Sequence, residues 1–127
     1  MDTKKASEKV QNNLKAIREW LDLEVPQDDI GGTVGQLKKL VSLMGLSAHS
    51  KALAKTIYAK AWEQKYIDLE SLKLSPSILT KRIDMECSEE DGLLVYADRI
   101  NAALTHAIDG LRSIISLHKT EIENSLK

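Results

Sequence analysis

The stretch EEDGLLVYADRINAALTHAIDGLRSIISLHKTEIENSL, residues 89–126, decides the fold class. Along it Leu93, Ala97, Ile100, Leu104, Ile108, Leu111, Ile115, His118 and Ile122 recur at intervals of four or three, the repeat of one helix face. At 1.5 Å per residue such a helix is roughly 57 Å long, more than a chain of 127 residues needs to enclose its own core. It is therefore expected to pack against more than its own chain. The interval from Leu104 to Ile108 adds an extra four to the alternation, a stutter that locally unwinds a left-handed supercoil.

Working upstream, Ser88 followed by Glu89, Glu90 and Asp91 reads as a helix cap with acids in the first turn, where the helix dipole favours them. Ser75-Pro76 reads as an earlier cap with proline in the first helical position. Between these two starts the chain either breaks near Cys87 or bends there. A third helix is expected from a cap at Ser47 to about Leu69, with Leu53, Ile57 and Ala61 on one stripe, and a turn follows around residues 70–74. A second helix, capped by Asp28 or Asp29, carries Ile30, Val34, Leu37, Val41 and Met44, with Gly45 as its left-handed stop. Gly31, Gly32 and Gly35 weaken its first turns, each by up to about 1 kcal/mol relative to alanine. The first helix spans about Thr3 to Leu23 on a stripe of Val10, Leu14, Ile17 and Leu21, and Val25-Pro26 ends it.

Composition agrees with this reading. Apolar residues make up 43% and charged residues 29%, which excludes a disordered chain, and scattered β-branched residues with two prolines and six glycines argue against a sandwich or barrel. The expectation is an all-α helical bundle of four to five helices in a single domain, 1–127, prone to form oligomers. Within it, residues 1–27 form an N-terminal helix and candidate arm, 28–74 a basic helical hairpin, and 75–127 the long C-terminal segment. Leu14, Ile17, Leu37, Val41, Leu53, Ile57, Leu104, Ile108, Leu111 and Ile115 are the expected core. No apolar run approaches the roughly 18 to 20 residues of a membrane span, residues 1–9 carry no signal-like stretch, and the lone Cys87 fits a reducing compartment. A cytoplasmic protein with no membrane partner is expected.

The net charge of −1 conceals segregation. Residues 33–62 contain no Asp or Glu but include Lys38, Lys39, Lys51, Lys55 and Lys60, whereas Asp84, Glu86, Glu89, Glu90 and Asp91 crowd together later. Such a chain can bind a polyanion, pair with copies of itself, or merely present a solvated lysine face. Lys51, Lys55, Tyr58 and Trp62 fall at intervals of four, three and four, which sets two ammonium groups and two rings on a common face. The rings either stack on nucleic-acid bases or serve as core or interface anchors. A polar stripe, Asp98, Asn101, Thr105, Asp109, Arg112 and Ser116, flanks the last helix's apolar seam and either fixes register and partner choice or faces solvent.

Catalytic signals are lacking. Gly31-Gly32-Thr33-Val34-Gly35 has neither the following Lys-Ser/Thr pair nor the preceding strand of a phosphate loop. His49, His106 and His118 lack metal-ligand spacing, His106 and Asp109 have no nucleophile beside them, and the acids around Cys87 disfavour a thiolate. The expectation is a protein without catalytic residues, metal or cofactor.

The run Ala107-Ile108-Asp109-Gly110-Leu111-Arg112-Ser113 resembles an Ala-aliphatic-Asp-small-aliphatic-basic-Ser run in the recombination-mediator family of T-even bacteriophages, among the small helical proteins of phage recombination modules. The order of parts is also similar: a Lys/Ala-rich helix over residues 51–66 ending in an aromatic, a turn, and a long C-terminal helix. The resemblance covers at most residues 36–119. It implies a homo-oligomer that binds single-stranded DNA and helps load a recombinase, with Lys51, Lys55, Tyr58 and Trp62 in the corresponding basic helix. The chain departs from that pattern in its mild acidity and its acidic cluster. Two readings stand side by side: such a DNA-binding accessory protein, with Leu104, Ile108, Leu111 and Ile115 as the oligomer interface, and a protein-binding helical adaptor or inhibitor with no nucleic-acid role.

Overall fold

A computed structural model describes residues 1–26 and 28–126, and the segment limits drawn above at Gln27 and Lys127 lie outside the described residues. Five helices follow in order: α1 (Thr3–Leu21), α2 (Ile30–Ser42), α3 (Met44–Glu70), α4 (Pro76–Glu86) and α5 (Ser88–Ser125). The all-α bundle with a long final helix is the architecture observed, and the described residues contain no strand.

Local chemistry starts and stops these helices. The Asp2 carboxylate accepts hydrogen bonds from the backbone N–H groups of Lys4 and Lys5 at 3.1 and 3.2 Å, satisfying two donors that an α-helix leaves open. Asp29 caps α2 in the same way through Gly32 N–H at 2.9 Å. A Cβ on Gly32 would run into that capping carboxylate and press against Val25, so the glycine permits the cap even as it weakens the helix.

Packing joins α1, α3 and α5 around one core. Val10, Leu14 and Ile17 of α1 meet Ala54 and Ile57 of α3 and Ala97, Ile100, Leu104 and Ile108 of α5. Polar pairs set the direction of the helices. Ser47 Oγ donates to Asn101 Oδ1 at 2.9 Å and Lys51 Nζ lies 3.3 Å from Asp98, so that as α3 advances its partner on α5 recedes. The two helices are antiparallel. Asn13 Nδ2 donates to Ser50 Oγ at 3.2 Å and ties α1 to the same stretch of α3. At the far end of α3, Leu69, Ile83 and Cys87 form a smaller cluster that seats α4.

Several expectations need correction. The α2 stripe is rotated: Thr33 and Leu40 are buried, whereas Val41 is 43% exposed and Ile30 is also exposed. Leu37 and Met44 lie on both candidate stripes, so periodicity alone left the phase open. Burial of Thr33 is affordable because its hydroxyl donates to the Asp29 carbonyl at 2.9 Å, leaving the methyl group for the core. Gly45 does not stop a helix, since no described glycine has a positive φ and Gly45 lies inside α3. Ser47 is not a cap either; it sits inside α3, buried, bonded to Asn101. Ser88 is the first residue of α5, and Cys87 occupies the cap position without a side-chain bond.

The segment 28–74 is not a hairpin. Leu43 N–H bonds to the Lys39 carbonyl and Ser47 N–H to the Leu43 carbonyl, so α2 passes into α3 through one bent residue and both lie along α5. Cys87 joins α4 to α5 similarly, accepting from Asp91 N–H and donating to the Ile83 carbonyl at 2.9 Å each. Of the ten expected core residues, Leu14, Ile17, Ile57, Leu104 and Ile108 are buried, Leu37, Leu53, Leu111 and Ile115 are half-buried, and Val41 is exposed.

This phase gives a direct contrast. Leu104→Ala should destabilise the fold by about 2 to 5 kcal/mol in urea denaturation, through lost burial and the cavity left behind, whereas Val41→Ala should lie within about 0.5 kcal/mol of the parent. Equal losses would mean that α2 is rotated as the sequence first implied.

Candidate functional site

Three surfaces come out of this packing: a ring-lined groove at the α3–α4 junction, the lysine-bearing flank of α3, and the distal part of α5. The groove arises because Trp62, Tyr66 and Glu70 recur every four residues along the last turns of α3. The chain then reverses through Lys73, whose φ of 51° is the one positive value among described non-glycine residues. Pro76 fixes the first turn of α4, and Leu79 and Thr80 close the opposite wall. Trp62, Tyr66, Glu70, Leu74, Pro76, Leu79 and Thr80 line a groove of about 350 Å³.

Trp62 and Tyr66 stack with ring centroids 5.9 Å apart and planes 14° from parallel. Trp62 is half-buried against the Leu69–Ile83–Cys87 cluster, and its Nε1 donates to Asp84 Oδ1 at 3.4 Å. Tyr66 remains 40% exposed. Tyr58, a turn earlier, packs half-buried on the same cluster; burial first, and then the charges of Asp84 and Asp91, push its hydroxyl above the ordinary value of 10.0. The acids of α4 and early α5 therefore face the rings of α3.

On the lysine flank, Lys51 pairs with Asp98 while Lys55 is exposed. Of the four residues placed on one face by spacing, the two lysines thus lie outward and the two rings turn partly inward beneath α4. Tyr66, which in the sequence marks only the aromatic end of the Lys/Ala-rich helix, lies one further interval of four beyond Trp62 and joins the site through the groove. A ring and a cation also meet across two helices, where no interval within one helix can point to the pair: Lys39 Nζ of α2 lies 5.1 Å from the centroid of the Trp20 ring of α1.

The polar stripe of α5 divides by position. Asp98 and Asn101 hold α3, whereas Asp109, Arg112 and Ser116 are exposed. The interface residues also divide. Leu104 and Ile108 are buried in the chain's own core at 0% and 4% exposure, in the cluster they share with α1, α2 and α3, which leaves Leu111 and Ile115, both half-buried. Apolar exposure lies further along, with Leu117 at 59% and Ile122 at 60%.

Cys87 is wholly buried, and burial, followed by the charge of Glu90, raises its thiol above the ordinary value of 9.0, the direction opposite to that of a reactive thiolate. Among the described residues no group of three His, Cys, Asp or Glu side chains is placed to hold a metal ion. No helix among them is long and apolar enough to cross a membrane. No protein-family model, curated protein or solved structure matches the chain.

The two raised groups determine how stability responds to alkali. Each holds its proton more tightly when folded, so above the ordinary thiol value the unfolded chain loses protons first and is favoured. Stability should be level from neutrality to about pH 8.5 and fall as pH rises through the thiol and then the phenol range. Urea midpoints measured across that range should show the first part of the decline vanish in Cys87→Ala and the second shrink in Tyr58→Phe.

Proposed function

We propose that the chain is a non-enzymatic helical accessory protein that works by binding macromolecules, and that its primary contact is with a second copy of itself through the distal part of α5. The observation that carries this reading is the mismatch between α5 and its cover. Burial on α5 ends at Ile108, yet the helix runs on to Ser125 with Leu111, Ile115 and Ile122 continuing the same apolar face, the first two half-buried and Ile122 60% exposed. Ile115 and Ile122 are one heptad apart, and Lys119, Glu121 and Glu123 flank the second of them, a mixed-charge setting that selects orientation when helices pair. An exposed apolar strip on a helix is a stable arrangement mainly when another surface covers it.

A second reading is favoured by a separate observation. Lys55 and Lys60 are exposed in the acid-free stretch, beside Lys51, whose pairing with Asp98 is half-solvated and exchangeable for phosphate. Together with the similarity of residues 107–113 to phage recombination mediators, this supports a protein that binds single-stranded DNA and assists a recombinase. The inward tilt of Tyr58 and Trp62, and the carboxylates facing them, weigh against base stacking at those rings and leave the lysines as the main contact. On this balance the protein-binding reading is the better supported.

Sedimentation velocity at tens of micromolar should give a mass that is a multiple of 14.2 kDa. Ile122→Asp should return the monomer with unchanged helical circular dichroism, because the position is 60% exposed within one chain. A monomeric parent protein would overturn self-association. Anisotropy of a labelled oligo-dT tests the DNA reading: binding should weaken by about 0.7 log units per phosphate contact for each tenfold rise in salt, and Lys55→Ala should remove about one contact from that slope. An absence of binding at tens of micromolar and low salt would leave the protein-binding reading alone.

A further inference from the structure

The two tryptophans of the chain sit in opposite electrostatic situations. Trp20 already has a cation over its ring, Lys39 Nζ at 5.1 Å, supplied by the neighbouring helix. Trp62 has carboxylates instead. Asp84 accepts its Nε1–H at 3.4 Å, and Glu70, two turns along the same face, lines the groove that Trp62 and Tyr66 share. Among the described residues no lysine, arginine or histidine lines that groove.

Two stacked rings present an electron-rich wall, and a carboxylate on the indole N–H together with one at the rim adds negative potential to it. Phosphate is repelled from such a place, and a neutral apolar side chain would leave the carboxylates without a counter-charge. A cation satisfies both features at once. The groove's volume of about 350 Å³ is at the small end of ligand pockets and suits a side chain better than a cofactor. A guanidinium fits more closely than an ammonium, since its flat face can lie on an aromatic ring while its edge donates two parallel hydrogen bonds to a carboxylate.

We propose that this groove captures an arginine side chain from a basic segment of a partner protein, with the guanidinium on the Tyr66–Trp62 wall and its edge toward Glu70. This contact is independent of the α5 strip, so either can fail alone. It also predicts a preference opposite to that of the lysine flank, a polycation rather than a polyanion.

Trp20→Phe makes Trp62 the sole tryptophan reporter. Titration with a capped arginine-rich hexapeptide should then give a saturable change in Trp62 fluorescence that weakens with salt, and a hexapeptide with glutamine in place of arginine should give none. Glu70→Gln and Tyr66→Ala should each weaken the arginine peptide by about three- to fivefold. Both positions are exposed, and far-ultraviolet circular dichroism checks that each variant keeps its helices. The proposal is overturned by an equal response to the glutamine peptide, by unchanged affinity in both variants, by no saturation up to millimolar peptide, or by an oligo-dT strand that saturates the same signal more tightly.

Discussion

The bond from Ser47 Oγ to Asn101 Oδ1 is the constraint from which the remaining arrangement follows. Its net worth is on the order of 1 kcal/mol, but breaking it would strand a wholly buried hydroxyl at a cost of roughly 1 to 3 kcal/mol. A slip of α3 along α5 by one turn is therefore penalised even where the apolar contacts could be remade. The surroundings amplify the effect. The buried face of α3 around this bond consists of Ser47, Ser50 and Ala54, and Ala97 faces it from α5, so small side chains bring the helices close enough for the short polar groups to meet. Ser50 repeats the device with Asn13 of α1.

Once that register is fixed, the surfaces have little freedom. Carrying the antiparallel pairing toward the start of α2 places that helix beside the middle and later part of α5, and the last turns of α5 outrun it. Carrying it the other way brings the aromatic end of α3 to the bend at Cys87, where α4 can close over it. The charge segregation seen in the sequence is partly resolved inside the fold: Asp98 answers Lys51, and Asp84 takes the Trp62 N–H. The acidic cluster therefore lies against the ring-bearing part of α3, while Lys55 and Lys60 keep their exposure.

What was legible in the sequence is the part governed by period. The α5 stripe needs only intervals of four and three to be read, and those intervals place each end of the helix within a residue of its position in the fold. The same rule failed on α2 because Leu37 and Met44 belong to two overlapping stripes, and the choice between Thr33 with Leu40 and Ile30 with Val41 depends on which helix lies opposite. Ser47 and Ser88 resemble caps in isolation. Ser47 is drawn inside α3 by a bond to a residue 54 positions away, which no local rule contains. For the candidate site, the common face of Lys51, Lys55, Tyr58 and Trp62 was visible, but the cover supplied by α4 was not, since it depends on Ile83 and Cys87 finding Leu69.

The two single-residue bends explain how a short chain builds both a core and a groove. Leu43 and Cys87 interrupt the helix geometry while keeping the backbone hydrogen bonds on either side, and both side chains point inward, at 8% and 0% exposure. An interruption that exposed its backbone would lose hydrogen bonds without gaining packing. Here each bend is anchored by burial, so its direction is set by the core rather than left free. At Cys87 the small thiol lets α4 pass close to Leu69, and that approach narrows the space beside Trp62 and Tyr66 into a groove. A larger residue at the bend would hold α4 away and open the groove to a flat surface. The buried cysteine thus shapes the candidate site through packing, without touching whatever the site binds.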